Sequence, residues 1–70
     1  MNQKVKVHDS PYWAGCDAIW ASIGGADTFI TYEEVSASTL VPSPREDGYE
    51  TLLLADGREA VVQSIDLDYL

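Results

Sequence analysis

One histidine and one cysteine, His8 and Cys16, are the side chains of this chain best suited to act as a neutral-pH base or a soft nucleophile. His8 directly precedes Asp9, but neighbours on a strand face opposite sides, so adjacency does not assemble a His–carboxylate pair. His8 reads as an exposed polar residue near a strand end. Cys16 lacks the cationic neighbour that makes a thiol reactive, since no Lys or Arg lies between residues 7 and 44. Beside Trp13 and Trp20 it reads as a small buried hydrophobe. A lone cysteine offers no intrachain disulfide, and no Cys/His spacing suits zinc. Serines at 10, 22, 36, 38, 43 and 64 lie outside any GxSxG turn and have no His or Lys placed as base. No GxxxxGK[ST] or GxGxxG phosphate loop occurs.

Carboxylates are the abundant chemistry. They pair at Glu33-Glu34, Glu46-Asp47 and Asp66/Asp68, and only the last pair has same-face strand spacing. Such pairs can hold calcium or magnesium, or act as acid and base. No EF-hand spacing supplies further oxygen ligands, so solvated acidic faces are the simpler reading. No metal and no cofactor is expected. A domain this small also lacks room for a substrate pocket, which argues against an enzyme. Twelve acids against four bases give a net charge of −8 and a pI near 4.1. The 46% apolar content argues for a folded chain. The negative field opposes direct binding to nucleic acid or to an anionic membrane and attracts basic partners.

The elements that must position these groups read as mainly β. KVKV at 4–7 alternates like a half-exposed strand. DAIWASI and TFITYEEV flank a GGAD turn and are preferred as a hairpin. The alternative is an α+β fold with a helix over 11–23, capped by Ser10, begun by Pro11 and ended by Gly24-Gly25. Thr31 and Glu34 have the spacing of a capping box for a short helix over 32–38. LVPSPREDG at 40–48 is a loop. ETLLLADGREAVVQS at 50–64 carries the clearest hairpin signal, Asp56-Gly57 in a two-residue type I′ turn. That turn places Leu54 opposite Glu59, Leu53 opposite Ala60 and Leu52 opposite Val61. Both faces are then partly apolar and want cover. DLDYL at the end suits a terminal turn or edge strand anchored by Tyr69 and Leu70.

The fold expected is a single domain over 1–70, a small antiparallel sheet of 4–5 strands able to curl into a barrel-like form, with room for one short helix. Seventy residues bury a small core, and homodimerisation is the remaining way to enlarge it. No apolar run approaches membrane-span or signal-peptide length, so a cytoplasmic location is expected.

In size, acidity and lack of catalytic motifs the chain resembles the small acidic proteins that phages use against host defences, of which anti-CRISPR proteins are the best-known group. The resemblance implies a stoichiometric inhibitor of a host nucleic-acid-binding complex, acting in the host cytoplasm by nucleic-acid mimicry on a basic surface. The alternative function is a small acidic accessory or structural interaction module, SH3-like and self-associating. From the residues themselves, the expected partner-facing surface is Tyr32, Glu33, Glu34, Glu46, Asp47, Asp66 and Asp68.

Overall fold

The computed structural model describes residues 3–8, 15–42 and 47–70. Its strands are β1 (Val5–Val7), β2 (Ala18–Ile23), β3 (Ala26–Thr31), β4 (Thr39–Leu40), β5 (Tyr49–Leu53), β6 (Glu59–Gln63) and β7 (Leu67–Tyr69). One short helix, α1 (Tyr32–Ala37), joins β3 to β4, and a 3₁₀ turn over Ser64–Asp66 leads into β7. Five strands form an antiparallel sheet in the order β3-β2-β6-β5-β4, and β1 pairs antiparallel with β7. The fold is mainly β, as the patterning indicates. The sheet stays open, which corrects the barrel-like form: its end strands β3 and β4 do not pair, and β2 meets β6 only at Ser22–Val61 and Ile23–Ala60.

β2 and β3 form the hairpin, with Ala26 and Asp27 in β3 rather than in the expected GGAD turn and residues 32–35 in α1 rather than in the second strand. Over its described part the alternative helix is overturned. Ile19, Trp20, Phe29 and Ile30 suit a pleated surface, and Gly24 and Gly25 supply the two positive φ angles, 61° and 83°, of a two-residue turn. Ser10, Pro11 and Trp13 lie outside the described residues. Residue 40 also departs from the expected loop: Leu40 belongs to β4, held opposite Leu52.

The second hairpin corrects the expected register by one residue. The Leu54 N–H donates to the Arg58 carbonyl (2.8 Å), and the Gly57 N–H donates to the Leu54 carbonyl (3.0 Å). These bonds close a three-residue loop, Ala55-Asp56-Gly57, in which only Gly57 has positive φ (95°). A type I turn completed by one left-handed glycine satisfies Asp56 without positive φ, so the strands meet as Leu53–Glu59 and Leu52–Ala60. Leu52, Ala60 and Val62 thereby share the buried face, while Leu53 and Val61 share the other.

The core is built on that buried face. Ile19, Ala21, Ile30, Leu52, Leu54, Ala60 and Val62 pack with Val5 and Val7 of β1, Leu67 of β7 and Val35 of α1. The β1–β7 ribbon and α1 are the cover the two-faced hairpin requires, and they cover one face only. β7 is the strand DLDYL allows, but Tyr69 and Leu70 are exposed and do not anchor it by burial. The Tyr69 hydroxyl instead donates to the carboxylate of buried Glu50 (2.5 Å), and the Leu70 N–H donates to the Lys4 carbonyl (3.1 Å).

Gly57→Val should lower the unfolding midpoint, because a β-branched residue strongly disfavours the left-handed φ this turn demands. Leu52, fully buried, should cost about 2–5 kcal/mol when cut to Ala. Urea titrations read both, and wild-type midpoints would contradict this hairpin.

Candidate functional site

α1 begins with a reciprocal cap. The Glu34 N–H donates to Thr31 Oγ1 (3.1 Å), and the Thr31 N–H donates to Glu34 Oε1 (2.9 Å), which is the capping box the spacing indicates. The second oxygen of Glu34 accepts from Arg58 Nη2 (3.3 Å), and Arg58 Nε donates to Asp56 Oδ2 (2.6 Å). Arg58 therefore ties the β5–β6 turn to the start of the helix. The Arg58 backbone N–H also donates to Asp56 Oδ1 (3.1 Å). That bond, with the guanidinium beside it, holds the Asp56 carboxyl below its usual value against a smaller opposing effect of desolvation.

Between helix and turn lies an open cleft of about 310 Å³, lined by Thr31, Glu33, Glu34, Ala37, Leu54, Ala55 and Asp56. Ala37, Leu54 and Ala55 are its apolar lining, and Glu33, Glu34 and Asp56 add three carboxylates, two of them bonded to the Arg58 guanidinium. A cationic side chain fits such a site: an aliphatic stem lies on the apolar lining and its charge meets the carboxylates.

The expected partner-facing residues separate. Glu33 lines the cleft, and Glu34 lies beside it but is engaged by the cap and by Arg58. Tyr32 is not an exposed contact: it is half-buried and packs against the core, because the helix it begins turns that side toward Val35 and the sheet. Asp47 is exposed in the turn before β5, and Glu46 lies outside the described residues. Asp66 is a correction. The 3₁₀ turn folds it inward to 6% exposure, so it does not share a strand face with Asp68 and is buried rather than exposed. Asp68 is half-buried and bonded to His8, Oδ1 to Nδ1 at 2.8 Å.

His8 is exposed, yet it finds its carboxylate across the β1–β7 ribbon, which adjacency to Asp9 does not suggest. Cys16 is exposed, which corrects the reading of it as a buried hydrophobe. It precedes β2 in irregular chain, outside the alternation that buries Ile19 and Ala21. Asp56 and Arg58 are the site residues the sequence reading missed. The Asp-Gly signal located their turn, and the pairing with Glu34 depends on how α1 folds over it.

Among the described residues no group of three or more His, Cys, Asp or Glu side chains could hold a metal ion, and no helix is long and apolar enough to cross a membrane. No protein-family model matches this chain, and no curated protein or solved structure matches it.

Burial pushes the Asp66 carboxyl above its usual value of 3.8. The folded state then holds this proton more tightly than the unfolded chain. The resulting stability is fully present below about pH 3.8 and is lost as pH rises through the higher folded value. At neutral pH the fold therefore carries a poorly solvated charge. Asp66→Asn should raise the melting temperature at pH 7, with the gain vanishing near pH 3. A neutral-pH melting temperature no higher than wild type would contradict this account.

Proposed function

We propose that this chain is a stoichiometric binding protein that docks on a basic surface of a nucleic-acid-binding complex and blocks it, as anti-CRISPR-like inhibitors do. The observation that carries the reading is the cleft between α1 and the β5–β6 turn. There Glu33, Glu34 and Asp56 join an apolar lining on a chain of net charge −8. A partner Lys or Arg entering it meets Glu33 directly and competes with Arg58 for Glu34 and Asp56. Long-range attraction between the acidic chain and a basic surface speeds encounter, and the cleft fixes where the charge lands. Exposed Asp47 adds to this field. The partner-facing set is therefore proposed as Glu33, Glu34, Asp47 and Asp56.

A second reading, a small self-associating interaction module, is favoured by one observation. Phe29 stands 71% exposed on the outer sheet face, opposite half-buried Trp20.

Affinity capture with the tagged chain identifies the partner, and the double reversal Glu33→Lys with Asp56→Lys tests the cleft. Binding should weaken about tenfold or more at low salt, with the gap narrowing as salt screens the charges. Competition with duplex DNA or RNA for the same partner should follow if the acids stand in for phosphates. Unchanged low-salt affinity of the double variant would refute the cleft as the docking site.

A further inference from the structure

β3 is an end strand of the five-stranded sheet, and it differs from the other end. β4, two residues long, is bridged by Gln3, whose carbonyl accepts from the Leu40 N–H (2.8 Å). β3 is six residues long and, among the described residues, pairs with β2 alone.

The hydrogen-bonding phase of β3 follows from its turn. In a two-residue hairpin the flanking residues, Ile23 and Ala26, exchange main-chain bonds, and the pattern repeats at every second pair. The Tyr32 N–H donating to the Asp17 carbonyl (3.0 Å) falls on the same phase. Ala26, Thr28 and Ile30 therefore turn their main-chain groups toward β2, and Asp27, Phe29 and Thr31 turn theirs outward. The outward Thr31 N–H is engaged by Glu34. What remains at the edge is the N–H and C=O of Asp27 and of Phe29.

Natural edge strands avoid unwanted pairing through lysines, prolines, bulges or brevity. ADTFIT has none of these, and its single charge is Asp27. We propose that β3 is a pairing edge for a second copy of this chain, joined antiparallel about a two-fold axis at Thr28 so that the two five-stranded sheets run on as one.

An antiparallel edge is its own complement under two-fold symmetry. With Thr28 facing Thr28 of the other copy, Asp27 lies opposite Phe29 and Phe29 opposite Asp27. All four outward groups of each strand are then satisfied. The same register keeps the two Asp27 carboxylates from facing each other, and it brings the two Phe29 rings into diagonal reach. Between two chains of net charge −8, a strand with one charge in six residues is a favourable line of approach. This proposal is independent of the acidic cleft and has the opposite salt dependence: pairing two acidic chains strengthens with salt, whereas binding a basic partner weakens.

Analytical ultracentrifugation across micromolar to millimolar concentration, at low and high salt, tests it. The mass should move from monomer toward dimer as salt rises. Phe29→Glu sets a carboxylate against Asp27 of the other copy, and Asp27→Pro removes an outward donor without touching the β2 ladder. Each should weaken association about tenfold or more. Amide exchange of the unaltered protein covers the case in which a variant fails to fold: the Asp27 and Phe29 amides should gain protection as concentration rises. A monomer under every condition overturns the proposal. So does a dimer indifferent to Phe29→Glu, or one in which both amides exchange freely.

Discussion

Leu52, buried opposite Ala60, marks the sheet face on which the whole core is built. The β5–β6 register places Leu52, Ala60 and Val62 together, and a slip of one residue would split them between core and solvent. The rest of the structure serves that face. β1 and β7 close over it with Val5, Val7 and Leu67, and α1 contributes Val35. Among the described residues β1, β7 and α1 cover that face, and Phe29 and Leu53 stand exposed on the other.

The acidity of the chain is not one uniform coat. Several carboxylates have internal tasks. Glu34 caps α1 and holds Arg58, Asp56 orders the hairpin turn, and Asp68 pairs with His8. Glu50 accepts from Tyr69 while buried on the core face, where a leucine or valine would be the ordinary occupant. Asp66 is buried at the 3₁₀ turn. Among the described residues, the exposed acids with none of these internal tasks are Asp17, Asp27, Asp47 and Glu59, and half-buried Glu33 has none either. All the ionised acids contribute to the long-range field, and position along the fold decides which of them a partner can touch.

Two surfaces of different physics follow. The α1 cleft is acidic, with an apolar lining, and suits a cation. The β3 edge has one charge and, among the described residues, no strand on its outer side, and it suits a strand. Salt weakens the first kind of contact and favours the second between like-charged chains.

Local sequence by itself determined the pieces. Alternation marked β1, the GGAD stretch located the first hairpin though only its two glycines form the turn, and the Thr31/Glu34 spacing set the helix start, because each depends on residues within a few positions of one another. Asp56-Gly57 located the second turn but not its type, since a two-residue and a three-residue loop share that signal and differ by one residue of register. The tertiary structure alone decided the rest. Asp66 is buried because a 3₁₀ turn steers β7 back to β1, and His8 meets Asp68 across sixty residues of chain. Arg58 reaches Glu34 only because the helix packs beside the turn. These contacts join segments distant in sequence, and their geometry comes from the packing of a shared core, which no local pattern encodes.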